Sequence, residues 1–348
     1  MAFDIYTNAE LQEIVRYTLP DANYFKQRWF SQQRFSATNN IIFDEMVDKR
    51  IRAPFVMPHV DGRPIVESGY SSNTYQPAYI KLRDGIQAAD LTNRAFGEAI
   101  NSIPEPLQRF NQGRANALRQ HREAVERTIE WMCSQYMQFG AYTVSGDRYP
   151  TRYLNFGRDA GNTVALSGGR LWTAPTTAQP LTDFESLSRQ IFVKGKAPGT
   201  LVTMTPEDWA LFRECTQVKE KFQFFKDIGG PLPNITPQAA AKVQRMGMIG
   251  GFEIEVYHDT WEDDSGTEQR YLPVGTVLMS APSESGLGGR QLYGRIQHLA
   301  AQLNGQSQTD IYHYEWMGED GEAHNIGTHC APLIAARKVN CSAALIVR

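Results

Sequence analysis

The 348-residue sequence has almost no excess charge and few cysteines. Its 35 Lys and Arg residues face 38 Asp and Glu, which gives a formal net charge of −3. A tight duplex-binding site neutralises roughly 6–10 phosphates, so this balance argues against a dedicated reader of nucleic acid. No two cysteines form a Cys-x-x-Cys pair, and we expect them to be reduced and structural. They are Cys133, Cys215, Cys330 and Cys341.

Long apolar runs and targeting segments are also missing. No window contains the roughly 18–20 apolar residues of a membrane span, and the mean hydropathy is −0.43. The N-terminal residues lack the basic region and apolar core of a secretory signal, so we expect a soluble, intracellular chain. Hydrophobic residues make up 41% of the chain. A chain of this length forms about two domains and needs neither disulfides nor a metal for stability.

Motifs for nucleotide cofactors are incomplete. The glycines at 286–289 resemble a dinucleotide loop, but the third glycine of that motif would have to replace Gln291. Gly195 and Lys196 are followed by Ala197, so they do not form a phosphate-binding loop. The nucleophile elbow and the His-Glu-x-x-His motif are absent from the sequence. We predict no cofactor and no catalytic residues.

Metal-ligating residue types occur in one cluster, at His324, His329 and Cys330. Neighbouring residues on a strand point to opposite faces, and no second pair of ligands accompanies this cluster. We therefore predict no metal site. Two acidic pairs, at 263–264 and 319–320, are in turn-like sequences and are interpreted as solvated carboxylates.

Residues 54–85 are interpreted as an extended arm. This stretch contains four prolines, which exclude helix interiors and central strands, and turn signals at Asp61-Gly62 and Asp84-Gly85. It has too few aliphatic residues for a core of its own. Because an isolated hairpin is marginal in water, we expect a partner surface to cover a two-stranded arm. The alternative is a loop folded back on its own domain.

Apolar residues at helical spacing predict a long helix over 112–139, ended by Gly140. At 1.5 Å per residue this helix would span about 40 Å and act as a structural spine. Its apolar stripe consists of Leu118, Val125, Ile129, Met132, Tyr136 and Phe139. The helix also carries four arginines, partly offset by Glu123 and Glu126, that are candidates for weak contact with DNA. These are Arg114, Arg119, Arg122 and Arg127.

Residues 181–290 predict a second, more compact unit that mixes strands and helices. Residues 201–204 form a short buried strand, and Thr205 then caps a helix with Pro206 at its first position. That helix is expected to end near Phe225.

Three further elements are predicted in the C-terminal third. Residues 235–246 contain a helix start and are expected to be helical to about Met246. Residues 252–261 alternate as a strand and turn into a second strand over 267–274. The alternating apolar residues of 341–347 require a paired strand inside a sheet.

Several blocks of the sequence resemble the phage lambda major head protein family, which comprises tailed-phage major capsid proteins. Their order and spacing together carry the resemblance over nearly the whole chain. They are Phe25, Arg28, Phe30, Phe35 and Thr38, then 71–81, 209–213, 218–221, Tyr293-Gly294, Ile296-Gln297, Ala301-Gln302 and 331–333. The resemblance implies an α+β, Hong Kong 97-type capsid fold. It divides the chain into an N-terminal arm (1–50), an extended E-loop hairpin (51–87), a P-domain with the spine helix at about 112–140 (88–180 and 291–348), and an inserted A-domain (181–290).

The resemblance also implies a structural function and no enzyme activity. Such proteins assemble as hexamers and pentamers into an icosahedral shell around packaged double-stranded DNA, in the host bacterial cytoplasm and then in the virion. Expected partners are other copies of the chain, a portal, a scaffold and maturation protease, and a decoration protein; no membrane is involved. The E-loop would lie on a neighbouring subunit. Its contact candidates are Gly69, Tyr70, Ser71, Ser72, Asn73, Thr74, Tyr75 and Gln76.

Two other functions are compatible with the same sequence. An encapsulin-like compartment shell would have the same fold but would enclose cargo without a portal. An α/β enzyme would need a converging acid–base pair in a deep pocket.

Overall fold

The computed structural model describes residues 23–46, 70–92, 105–146, 149–227 and 242–348, except positions 264 and 320, together with scattered positions between 52 and 61. Helices and strands both occur throughout these residues, which agrees with the expected α+β class. The α-helices are α1 (Tyr24–Trp29), α2 (Ala88–Thr92), α3 (Pro106–Phe139), α4 (Pro180–Gly195), α5 (Pro206–Glu214), α6 (Thr216–Asp227) and α7 (Leu299–Leu303). Short turns of 3-10 or π helix occupy Ala160–Asn162, Gly168–Arg170, Ser283–Leu287 and Val339–Cys341.

The strands of the described residues form several small sheets and one larger sheet. They are β1 (Gln32–Phe35), β2 (Ile41–Met46), β3 (Tyr70–Tyr75), β4 (Ile80–Gln87), β5 (Ala141–Gly146), β6 (Tyr149–Asn155), β7 (Thr163–Ala165), β8 (Leu201–Met204), β9 (Val243–Ile249), β10 (Phe252–Tyr257), β11 (Thr260–Glu262), β12 (Glu268–Arg270), β13 (Thr276–Ser280), β14 (Gly289–Tyr293), β15 (Ile311–Met317), β16 (Ala323–Cys330), β17 (Pro332–Ala336) and β18 (Ser342–Ile346). The larger sheet has the order β7-β18-β13-β8-β10-β9. Two three-stranded sheets have the orders β1-β14-β17 and β15-β16-β4, and the remaining pairs are β2-β3, β5-β6 and β11-β12.

The long helix α3 confirms the predicted spine and starts earlier than expected. It begins at Pro106, where proline lacks only an N–H that has no helical partner. It ends at Gly140, whose φ of 64° lies in the left-handed region and whose N–H donates to the carbonyl of Tyr136. Five residues of the predicted stripe are buried, whereas Phe139 is 52% exposed. The helix packs on β17 and on the β15-β16-β4 sheet, so it joins the two three-stranded sheets.

The first core forms where the N-terminal aromatic residues meet α3. Phe25, Trp29 and Phe30 are all buried in one cluster with Tyr136 of the helix. The rings of Phe30 and Tyr136 meet edge to face, with centroids 5.5 Å apart. Such pairs contribute about 0.5–1.5 kcal/mol beyond the burial of their area. The aromatic segment therefore belongs to the body of the fold.

The second core lies on the larger sheet. Strand β8 occupies its interior between β13 and β10, as a short, fully buried strand should. The Thr205 hydroxyl accepts the Asp208 N–H at 3.3 Å, and Pro206 is the first residue of α5, so the predicted helix start is confirmed. The predicted single helix ends at Glu214 and a second helix, α6, follows Cys215.

Strand β9 shows that the helix predicted to reach Met246 is wrong over 243–246. These residues pair antiparallel with β10 and form an edge of the larger sheet. The start of the predicted helix, at 235–237, lies outside the described residues. The predicted strand over 252–261 is two strands, β10 and β11, and the strand predicted over 267–274 is limited to Glu268–Arg270.

The C-terminal strand β18 is confirmed as an interior strand. It runs antiparallel to β13 on one side and parallel to β7 on the other. The larger sheet therefore takes strands from 163–165 and 342–346 as well as from 201–280. These strands lie on both sides of the boundaries at 181 and 290 that the sequence suggests.

The extended stretch pairs differently from the prediction. We expected both strands of the arm within 51–87, but β3 pairs with β2, which lies N-terminal to that range. Strand β4 instead joins β16 at the edge of a three-stranded sheet that packs on α3. A local hairpin pattern could not show this, because β2 and β3 are separated by more than 20 residues of chain.

Candidate subunit-contact surface

Strands β2 and β3 form a two-stranded unit that we call the arm. Ile41 pairs with Tyr75 at its base and Met46 pairs with Tyr70 at its other end. The Tyr75 hydroxyl donates to the carbonyl of Asn155 at 2.9 Å, which fastens the base of the arm to β6. In the described part of the chain neither strand pairs with a third one. Both edges of the arm therefore have backbone groups available to another strand or surface.

Large apolar side chains are exposed on the arm and in the chain between its two strands. Ile42 is 67% exposed on β2, while Phe55 and Met57, in the stretch between the two strands, are 90% and 75% exposed. The guanidinium of Arg52 lies over the Phe55 ring at 5.2 Å from its centroid. Ile42 lies on the arm itself, so the arm presents an exposed apolar side chain as well as unpaired backbone edges. The arm thus has the features of a surface that lacks its partner.

The eight contact candidates from the sequence are distributed unequally. Gly69 lies outside the described residues, and the backbone of 70–73 belongs to β3. Thr74 and Gln76 are exposed, whereas Tyr75 is half-buried with its ring 4.9 Å from that of Phe156. Tyr75 therefore anchors the arm to its own chain. Ile42 was missed because the sequence alone did not show that 41–46 pairs with this segment.

The four arginines proposed to face DNA do not share one face of α3. Arg114 is 3% exposed and lies over the Phe110 ring, with its Nε 3.7 Å from a Glu315 carboxylate oxygen. The prediction is wrong for Arg114, because a residue four positions before Leu118 lies on the buried stripe. Arg119 is exposed, Arg122 is half-buried, and Arg127 forms a loose ion pair with Glu123 at 3.9 Å. Arg119, Arg122 and Arg127 are therefore separate cations that do not form one continuous basic surface.

The residues considered as metal ligands are bound to other protein groups. His329 contacts the hydroxyls of Tyr79 and Tyr314 through its two ring nitrogens, at 3.0 and 3.2 Å. His324 lies 3.3 Å from the Glu315 carboxylate. Cys330 is fully buried, as are the other three cysteines. Among the described residues, no group of three or more His, Cys, Asp or Glu side chains is arranged to hold a metal.

A buried carboxylate fastens the N-terminal segment to the spine. Glu130 of α3 accepts the backbone N–H groups of Phe25 and Lys26 at 2.7 and 2.9 Å. These N–H groups lie in the first turn of α1, where they have no helical partner, so Glu130 caps that helix from another element. Burial raises the pKa of the Glu130 carboxyl to about 7, although the two N–H donors and Lys26 act to lower it.

We expect the folding stability linked to Glu130 to fall as pH rises, because ionisation places a charge in a buried site. The folded pKa of about 7 exceeds the ordinary value of 4.5, so the folded protein favours protonated Glu130. The contribution of protonated Glu130 to the free energy of unfolding is fully present below pH 4.5 and declines as pH rises toward 7. The loss is at most about 3 kcal/mol, because each unit of pKa difference corresponds to about 1.36 kcal/mol. Chemical denaturation of the wild type and of Glu130→Gln between pH 4.5 and 8 tests this. The difference between the two should change over that range, and a constant difference would contradict it.

The chain is similar in sequence to proteins of known phages. None of the helices in the described residues is long and apolar enough to cross a membrane. The chain matches the family described as phage major capsid protein E over residues 9–347. It is 23% identical to the major capsid protein of Escherichia phage lambda and 22% identical to that of Enterobacteria phage phi80, each over 315 residues. Both alignments cover 90% of this chain and 90% of the relative.

A solved structure shows the same fold. The crystal structure of a prophage capsid protein from Escherichia coli CFT073 has a TM-score of 0.74 and 17% sequence identity. The superposition covers 99% of this chain and 100% of that chain, so the expected Hong Kong 97-type fold is confirmed. Because the family match spans nearly the whole sequence, the chain belongs to the phage major capsid protein E family.

Proposed function

We propose that copies of this chain assemble as hexamers and pentamers into the icosahedral head of a tailed phage. The arm is the observation that carries the proposal. Both of its edges are unpaired in the described part of the chain. Ile42 on β2 is exposed, as are Phe55 and Met57 in the chain between β2 and β3. In a shell the arm would lie on an adjacent copy, which would cover these side chains. Burial of this apolar surface would stabilise the contact by roughly 25 cal/mol per Å².

The domain division of such a subunit is part of the proposal. The N-terminal arm comprises 1–50, the E-loop 51–87, the P-domain 88–180 and 291–348, and the A-domain 181–290. Packing of α3 on β16 and β17 supports a P-domain built from two separated segments. The end of the N-terminal segment, 41–46, supports the E-loop by pairing with it, since β2 pairs with β3. The larger sheet supports the A-domain as a compact unit, with edge and interior strands contributed by the flanking segments.

The partners and location follow from the same proposal. The shell would enclose double-stranded DNA and contact it without sequence preference, which suits a chain with a net charge of −3 and scattered cations such as Arg119 and Arg127. A portal, a scaffold with a maturation protease, and a decoration protein would act with it during assembly in the host cytoplasm. We assign the chain a structural role without catalysis, in keeping with the family to which it belongs.

Sedimentation velocity of the chain expressed alone, with negative-stain imaging of the same sample, tests this function. We expect capsomer rings or closed particles in addition to free subunits. Co-expression with a phage scaffold should increase the fraction of closed particles. A chain that stays monomeric at high concentration, both alone and with scaffold, would contradict the proposal.

A further inference from the structure

A pocket of about 180 Å³ lies at the base of the arm. It is placed where the chain enters the arm at Asn39 and leaves it at Gln76. The lining also includes residues of β6 and of the segment that follows β14, among them Arg152 and Arg295. A group held in this pocket would therefore contact both the root of the arm and the body of the subunit.

The lining of the pocket is polar and positively charged. It contains two arginines and no acidic residue. Tyr79, which also lines it, has its pKa raised to about 12 by burial, so its phenol supplies no negative charge. Its hydroxyl already accepts the Gln297 N–H at 2.9 Å. The pocket therefore has a net positive charge near neutral pH.

Neither arginine has a carboxylate partner in the described part of the chain. Arg152 donates to the Gln76 side-chain oxygen and lies over the Tyr149 ring, 5.7 Å from its centroid. Arg295 donates through Nε to the Ser307 hydroxyl at 3.1 Å. Both side chains are half-buried, so solvent screens their charge less than that of fully exposed cations. The planar guanidinium group offers two parallel N–H donors that match a carboxylate or a phosphate.

We propose that this arm-base pocket binds a carboxylate side chain of an adjacent copy of the chain within the shell. The inference rests on the proposed function, since it requires neighbouring copies. Binding at this point would fix the angle at which the arm leaves the body. It would thereby couple the position of each arm to the presence of the next subunit.

A protein carboxylate fits the pocket better than the phosphates of packaged DNA. Ligand pockets for small molecules are typically about 300–1,000 Å³, so this one is sized for a single side chain. A protein that binds DNA places several cations along the phosphate backbone, whereas this pocket contains only two arginines and is concave. Exposed carboxylates such as Glu185, Glu214 and Glu319 are available on every copy of the chain.

Carbodiimide coupling in assembled shells tests the proposal directly. A carbodiimide activates a carboxylate, and a neighbouring amine then displaces the urea to form an amide. Shells made from Arg295→Lys carry an amine in the pocket, and Arg152→Lys is the second variant. We expect covalent dimers and higher oligomers, with a peptide bridge from the introduced lysine to an Asp or Glu of another copy identified by mass spectrometry. Arg189→Lys, an exposed position on α4 outside the pocket, is the matched control.

Charge removal gives an independent readout. Arg295→Gln and Arg152→Gln should each lower the fraction of subunits in shells by at least tenfold at moderate salt, while Arg189→Gln leaves it unchanged. Circular dichroism of the free subunits should show the same melting in all three variants. The proposal is overturned if both lysine variants give no more oligomers than the control, or if the bridge joins residues of one copy.

Two other outcomes separate the competing explanations. If charge removal weakens only DNA-filled particles and leaves empty shells unchanged, the pocket binds DNA and the proposal is overturned. If the unsubstituted chain forms no shells at all, with or without scaffold, the proposed function itself fails and the pocket proposal falls with it. Normal shells that lack the cross-link would overturn the pocket proposal alone.

Discussion

Replacing residues 69–76 with a short turn should leave a folded subunit that forms no shells. The change removes β3, so β2 loses its pairing partner and the arm disappears. Among the described side chains of this segment, Tyr75 packs against the first large hydrophobic cluster and is itself only partly buried, so we expect both clusters to keep their buried residues. We expect a melting temperature close to that of the wild type and no closed particles in negative stain.

A pair of point substitutions provides the control for this deletion. Ile42→Asp places a charge on exposed apolar surface of the arm and should strongly reduce shell yield, whereas Ile42→Val keeps that surface apolar and should retain most of it. Because Ile42 is 67% exposed in the subunit, neither change should alter the stability of the free chain by more than about 0.5 kcal/mol. Shells of normal size and number from the deletion variant would contradict the assignment of the arm as a contact surface.

Trp209→Ala should lower the free energy of unfolding by about 3–5 kcal/mol. Trp209 is 7% exposed, and its ring stacks on that of Phe212 with centroids 5.5 Å apart. It belongs to the cluster on the larger sheet that includes Val202 and Ile254. Removal of the indole loses this contact and leaves a cavity that the paired strands beneath cannot easily close.

Urea denaturation followed by far-ultraviolet circular dichroism measures this effect. Phe192→Ala is the matched control, since Phe192 is an aromatic residue of the same region that is 48% exposed. Phe192→Ala should lower the free energy of unfolding by less than about 1 kcal/mol. If Trp209→Ala unfolds at the same urea concentration as the wild type, Trp209 contributes to a surface between molecules instead of to the core.

The elements that the sequence predicted well depend on local signals. The spine helix follows from a regular apolar stripe and a glycine stop, and the start of α5 follows from the side chain of Thr205 and the fixed φ of Pro206. Each signal is contained within a few turns of chain. The fold itself was inferred from blocks that resemble a known family, and the comparisons confirm it.

Elements that depend on distant partners were not predictable from the same signals. The strand over 243–246 is an exception, because it pairs with β10 across the Gly250-Gly251 turn, a local hairpin signal that the sequence prediction did not use. The partner of β3 is more than 20 residues away, which local turn signals cannot specify. The capping role of Glu130 likewise depends on where α1 docks. Arg114 is different, because its spacing of four from Leu118 already indicated the buried face of the helix.

Cryo-electron microscopy of particles assembled from this chain tests the central claim most directly. We expect a shell of hexamers and pentamers in which β2 and β3 of each subunit lie on an adjacent subunit and Ile42 is buried between the two. A particle in which the arm packs only on its own subunit, or in which Ile42 faces solvent with no neighbour in contact, would contradict the account.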